Sequence, residues 1–247
     1  MLTEEYFKNM KQVLEKIRET QMDAINRSAE VITDSLLNEG VWHVMDTGHM
    51  LMYEAIGRTG GLMAVRPVRV SLEVNNPTRY REAVINKKRV FMDSIEGLPE
   101  YIINKSNMVA GDVLLVGSVT GINFLPVEMA IYAKKRGICV IGLTSVKYSS
   151  YLDSKHLSGK KLFEVCDIVL DNCADIGDTL VYVDELEQGI CPASGIAASY
   201  IMWALQSRVI ELMLEKGKRP HIYKNNHLPG AGEFNSQAWN EYEKMGY

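Results

Sequence analysis

Two short apolar runs, Asp112 to Ser118 and Ile138 to Thr144, joined by a helix-forming stretch from Leu125 to Arg136, limit most sharply what this chain can fold into. Runs of this length, rich in Val, Leu and Ile and bounded by turn residues, read as strands buried on both faces. A strand, a helix and a strand in that order form a βαβ unit, and such units build parallel sheets with helices on both faces.

The rest of the chain extends this alternation. From Thr3 to about Asn38, apolar residues fall at Tyr6, Met10, Val13, Ile17, Ile25, Ala29, Ile32 and Leu36 without proline or glycine, the pattern of one long amphipathic helix or two short ones. Val41 to Met45 reads as the first strand and Met50 to Arg58 as a helix closed by Gly60-Gly61. Ala64 to Leu72 is a second β-like run, and Asn75 to Gly97, with Arg79, Arg81, Lys87, Lys88 and Arg89, reads as a solvated helix or loop. A short helix is expected from Leu98 to Asn107 and a weaker strand from Ile168 to Asp171. A last long helix runs from about Gly195 to Lys216, stopped by Gly217 and Pro220, before a polar and aromatic tail from His221 to Tyr247. The expected architecture is a doubly wound α/β domain over 1–247, with residues 1–39 as a helical extension packed outside the sheet.

Composition narrows the function. Of 247 residues 47% are apolar, and 27 basic side chains stand against 31 acidic ones for a net charge of −4, which excludes a disordered chain. Without a long basic block the chain is a poor nucleic-acid binder. Cys139, Cys166, Cys173 and Cys191 fit neither a zinc pattern nor a secreted disulfide framework, and no metal or other cofactor is expected. No secretory leader and no apolar run of the ~18 residues needed to span a bilayer is evident, so the protein is expected to be cytoplasmic and without a membrane partner. The first strand begins near residue 41, so no appended helix-turn-helix domain is expected.

In an open parallel sheet, ligands bind beyond the carboxyl ends of the strands, where helix N-termini point free N–H groups. Three such ends carry small hydroxyls, glycine or both: Thr47-Gly48-His49, Ser118 through Thr120-Gly121 to Asn123, and Thr144-Ser145. One loop alone is matched by ordinary helix capping. Three together point to a phosphorylated ligand whose charge is met by dipoles. Other motifs are missing: there is no Gly-x-Gly-x-x-Gly after the first strand and no Walker loop, and Val116 occupies the first glycine position of a serine-hydrolase elbow around Ser118.

At these loops the chain resembles the sugar isomerase (SIS) domain family. Gly111 to Gly121 is similar to that family's strand ending in a Ser-x-Ser/Thr-Gly phosphate loop, and the match continues through Met129 to Gly137 and Val140 to Thr144. Thr47 to Glu54 followed by Gly60-Gly61-Leu62, with Glu187-Gln188 and Gly230 to Asn235, is similar to an uncharacterised branch related to phosphoheptose isomerases. The resemblance implies a flavodoxin-like five-stranded parallel sheet, a phosphorylated sugar as ligand, and a homodimer or homotetramer with sites near subunit boundaries. The chain also departs from the family. The second histidine of the Thr-Gly-His-Ser-His element is absent, Tyr53 stands for the first glutamate of its pair, and Arg208 falls near the position of the histidine that phosphoheptose isomerases carry on their last helix.

Isomerising an aldose to a ketose, or eliminating a group β to a carbonyl, begins with removal of a proton next to that carbonyl, and Glu54 is the expected base. His49 is the second catalytic candidate, able to polarise a sugar oxygen. Thr47, Gly48, Ser118, Thr120, Gly121, Asn123, Thr144 and Ser145 would hold phosphate and hydroxyls, while His227 and Glu233 could close over a neighbouring site. The leading expectation is an isomerase-like enzyme acting on a sugar phosphate. A phosphosugar etherase or lyase, or a sensor without turnover, are the alternatives.

Overall fold

A computed structural model describes residues 1–73, 75, 79, 92 and 95–247. The central sheet contains β1 (Trp42–Asp46), β2 (Val65–Pro67), β3 (Val113–Gly117), β4 (Cys139–Thr144) and β5 (Ile168–Asp171), in the spatial order β2-β1-β3-β4-β5. Every neighbouring pair is parallel. This is the doubly wound, flavodoxin-like arrangement that the βαβ pattern and the resemblance predict.

Because side chains alternate across a strand, β3 supplies both faces of the core. Val113 and Leu115 point into one apolar cluster, shared with α1 (Leu2–Thr20), α2 (Met22–Leu37) and α7 (Ser194–Glu215). Leu114 and Val116 point into the other, shared with α3 (Leu98–Lys105) and α4 (Phe124–Lys135). All four are almost completely buried, and each such side chain contributes about 1.5–3 kcal/mol relative to exposure. The methionines at 45, 50 and 63 are core residues, while Met52 is only half-buried.

The N-terminal stretch takes the second of its two expected forms, two helices broken at Gln21, whose N–H bonds back to the Ile17 carbonyl. Other elements differ from the expectation. Residues 50–58 form bends and turns, with only Ala55 N–H reaching the Leu51 carbonyl in helical register. A short segment bounded by Gly48 and by Gly57, at φ 67°, cannot recover the cost of helix nucleation, and the buried Gln206 amide donates to the Ala55 carbonyl from outside. The tail also folds: α8 (Ala231–Met245) packs through Ala238 and Tyr242, and residue Ile222 bridges to Leu62. Its Ala231, Phe234, Ala238 and Tyr242 hold a helical rhythm that polar neighbours obscure in the sequence. Between β5 and α7 lies an unforeseen hairpin of β6 (Val181–Val183) and β7 (Gln188–Ile190). Most of the basic stretch within 75–97, including Arg81, Lys87, Lys88 and Arg89, lies outside the described residues.

Candidate functional site

The chain steps from β1 outward to β2 and then back across β1 to β3, so the loops after β1 and β3 part at this point. A parallel sheet opens its ligand crevice at such a reversal. A cavity of about 380 Å³ lies here, lined by Met45, Asp46, Thr47, Gly48, Val68, Val70, Met92 and Leu125. It joins the end of β1 to the first turn of α4.

The loop after β1 is held by Asp46, which sequence reading missed. Its carboxylate accepts from Gly48 N–H at 2.9 Å and from Leu51 N–H at 2.7 Å, while Thr47 Oγ1 donates to the Gly117 carbonyl at 3.3 Å. Met50 and Leu51 are thereby tucked over Gly117, where an added Cβ would lie 2.9 Å from the Leu51 side chain. An acidic residue ending a strand and preceding Thr-Gly was the available sequence signal for this turn.

The loop after β3 is shaped by glycine. Gly121 has φ 59°, and a Cβ there would meet Leu162 Cβ at 2.9 Å and Thr144 Oγ1 at 3.0 Å. Ser118 Oγ accepts from Gly121 N–H at 3.2 Å, and Thr144 Oγ1 donates to the Val119 carbonyl at 3.0 Å. The N–H groups of Thr120 and Ile122 have no acceptor among the described residues. Asn123 gives the first turn of α4 no side-chain cap, and that turn carries no acidic residue. A helix start without a cap leaves partial positive charge facing the crevice.

A further segment braces this loop. Lys155 N–H donates to the Ile122 carbonyl and Leu162 N–H to the Gly121 carbonyl, at 2.9 and 2.8 Å. His156 anchors the segment: its Nε2 lies 2.6 Å from Glu128 Oε2 on α4, its Nδ1 lies 2.7 Å from Ser158 Oγ, and its ring stacks on Phe124. None of this was legible in the sequence, because Glu128 and His156 are brought together by the fold alone.

The expected site residues thus divide. Thr47, Gly48 and the loop of Ser118, Thr120, Gly121 and Asn123 belong to the ends of β1 and β3 that flank the crevice. Thr144 and Ser145 are fully buried, and Ser145 caps α5 (Val146–Tyr151) by accepting from Tyr148 N–H while donating to the Ala174 carbonyl. His49 is exposed and without a hydrogen-bond partner among the described residues. Glu54 is about half exposed and pairs with Arg58 at 3.4 Å. Neither His49 nor Glu54 lines the cavity. Arg208 on α7 pairs with Glu211 and Glu215. His227 and Glu233 are exposed, the first in the turn before α8 and the second in its first turn.

A second hollow of about 280 Å³ lies under α8, lined by residues such as Arg219, His221, Phe234 and Glu241. There His221 contacts the Tyr247 carbonyl and lies 3.0 Å from Glu241. It includes none of the strand-end loops. The four cysteines are free thiols, and burial pushes those of Cys139, Cys166 and Cys173 upward. No cluster of metal-ligating side chains occurs among the described residues, and no helix there is long and apolar enough to cross a membrane.

Comparison with known proteins agrees with the fold. A model of the SIS domain matches residues 5–145. A UPF0309 protein of Caldanaerobacter subterraneus is 33% identical over 244 residues, covering 97% of this chain and 96% of its own. Another, from Halalkalibacterium halodurans, is 31% identical over 242 residues and covers 97% of both chains. The solved structure of a candidate phosphosugar isomerase involved in capsule formation, from Bacteroides fragilis, superposes with a TM-score of 0.50 at 15% identity, over 87% of this chain and 90% of that one. That likeness is one of fold.

Proposed function

This chain belongs to the SIS-domain family, and on that premise we propose that it binds a sugar phosphate in the crevice between the ends of β1 and β3. The phosphate sits at the loop from Ser118 to Asn123, and the sugar extends toward Thr47 and Gly48. The observation that carries this reading is the start of α4, which faces the crevice with no side-chain cap and no carboxylate in its first turn. A phosphate there would meet the helix dipole and the free loop N–H groups. Ser118 and Thr120 add hydroxyls beside it. Thr144 and Ser145, whose hydroxyls are committed to backbone groups, hold the loops in place.

As an isomerase, the protein would use Glu54 to take a proton from the carbon next to the sugar carbonyl, giving an enediolate, and return it to the former carbonyl carbon, while the proton of the neighbouring hydroxyl passes to the former carbonyl oxygen. His49 would polarise the oxygen. A second reading, a phosphosugar sensor without turnover, is favoured by one observation: Glu54 is paired with Arg58 and does not line the cavity. Catalysis requires that pair to open when the sugar enters.

Thermal unfolding against a panel of hexose, hexosamine and heptose phosphates, with unphosphorylated sugars as controls, tests the binding. At a hundredfold excess over Kd a ligand adds about 2.7 kcal/mol of apparent stability. Asn123→Asp supplies α4 with an acidic cap, so it should raise the melting temperature of the free protein while abolishing the phosphate-dependent shift. An undiminished shift in that variant overturns the assignment. Proton exchange at the carbon beside the carbonyl in deuterated water separates the two readings: exchange lost in Glu54→Gln marks the enzyme, and none in the wild type marks the sensor.

A further inference from the structure

The crevice has a polar edge and an apolar wall. Met45, Val68 and Leu125 belong to the apolar cluster between the sheet and the helices α3 and α4, and Val70 packs against it. The Val68 N–H donates to the Val44 carbonyl at 2.8 Å, so pairing with β1 continues past Pro67, and Val70, two residues on, returns to the same face. Met92, 37% exposed, adds a thioether to this lining. Among the described residues the polar lining is confined to Asp46, Thr47 and Gly48. Part of it is already spent, since Asp46 accepts from the N–H groups of Gly48 and Leu51, and Thr47 Oγ1 donates to the Gly117 carbonyl.

Leu125 ties the wall to the phosphate end, because it is the second residue of α4, whose uncapped start follows the loop from Ser118 to Asn123. A sugar held by its phosphate at that loop turns one edge against the wall. A hydroxyl on that edge would leave water for thioether and alkyl groups and find no partner, a loss of about tenfold in affinity. Each methylene in the same place gains about fourfold. At the polar edge a carboxylate offers about four lone-pair sites, so Asp46 can still accept from a ring hydroxyl or an amide N–H beside the wall.

We propose, resting on the assignment of the phosphate to the loop from Ser118 to Asn123, that the ligand is a sugar phosphate carrying a short apolar substituent. This acyl or alkyl group lies against Val68, Val70, Met92 and Leu125, and a fully hydroxylated sugar phosphate is a poor ligand. Val70 and Met92, the least buried of the wall, set the preference.

Calorimetric titration with matched ligands tests this. N-propionyl and N-glycolyl hexosamine 6-phosphates have the same size and differ only in a terminal methyl against a hydroxyl. The propionyl form should bind about tenfold or more tightly than the glycolyl form and about fourfold more tightly than the N-acetyl form. A second pair, O-propyl and O-(2-hydroxyethyl) ethers of hexose 6-phosphates, distinguishes an alkyl from an acyl linkage, and preference for the methyl-ended member in either pair is the expected result. Val70→Thr should reduce that preference about fivefold, by offering the hydroxyl a partner. Met92→Gln, at a more exposed position, should reduce it likewise, and the ratio within a pair cancels any general loss of binding. Equal binding within both pairs, a preference that neither variant reduces, or hydroxylated sugar phosphates that bind as well as both pairs overturns the apolar subsite and leaves the phosphate assignment standing. If no sugar phosphate binds, with or without a substituent, the phosphate assignment falls and the subsite with it.

Discussion

The Nε2 of His43, on β1, lies 3.0 Å from a carboxylate oxygen of Asp112, immediately before β3, and both side chains are buried. The same carboxylate accepts from Val41 N–H and Val109 N–H at 2.9 and 3.0 Å. One side chain therefore ties the entry of β1 to the entry of β3, the two strands whose far ends enclose the crevice. Burial by itself pushes the Asp112 carboxyl upward, but the bonds from His43, Val109 and Val41 outweigh it and hold the group below its ordinary value of 3.8.

The sign of the pH effect follows from that direction. A carboxyl with a depressed folded-state pKa adds stability that is fully present above its unfolded value and is lost as pH falls through the folded one. Asp112→Asn should cost about 1–3 kcal/mol near neutrality, since it leaves buried donors without a charged acceptor. The gap between variant and wild type should narrow below pH 3.8, the ordinary aspartate value. Urea unfolding at neutral and acid pH measures both. A gap that widens in acid contradicts the arrangement.

Gly121→Ala tests the loop after β3. The backbone there is left-handed, and the new methyl would meet Leu162 and Thr144. Strain plus displacement should cost about 1–3 kcal/mol, read as a lowered melting temperature. Sugar-phosphate binding should weaken as well, because the free N–H groups of Thr120 and Ile122 flank this residue. A variant with the wild-type melting temperature would show that the turn relaxes freely.

Gln206→Leu tests the turn that carries Glu54. The buried amide donates to the Ala55 carbonyl and accepts from Leu62 N–H, both at 3.0 Å. Leucine fills much of the volume but satisfies neither group, so a loss of about 2–4 kcal/mol is expected for two abandoned bonds. Amide exchange should quicken over residues 55–62 before the rest of the protein. Uniform acceleration would assign Gln206 a general core role instead.

The strands were legible because their evidence is local. The runs ending at Ser118 and Thr144 are too apolar for any surface, and the helix between them has the length a crossover needs, so parallel order and strand-end loops follow from adjacent residues. The stretch from Met50 to Arg58 shows where local reading fails. Its residues have adequate helical character, yet Asp46 sets the turn, Gln206 takes its carbonyl from a helix far along the chain, and Gly57 closes it. The C-terminal helix failed for the opposite reason: its rhythm is present, but a polar composition hides it, and only the packing of Ala238 and Tyr242 into the core shows which face is buried.

The sequence by itself determined the five strands of the central sheet in chain order, the helix between β3 and β4, the places where the strand-end loops gather, and the residue types offered there, since apolar periodicity and turn chemistry act over a few neighbours. Only the tertiary structure decided which offered groups remain open. It spent the hydroxyls of Thr144 and Ser145 on backbone carbonyls, left the start of α4 bare, paired Glu54 with Arg58, and joined Glu128 to His156. Each outcome depends on atoms far apart along the chain, whose competition for a hydrogen bond is settled only when the core packs.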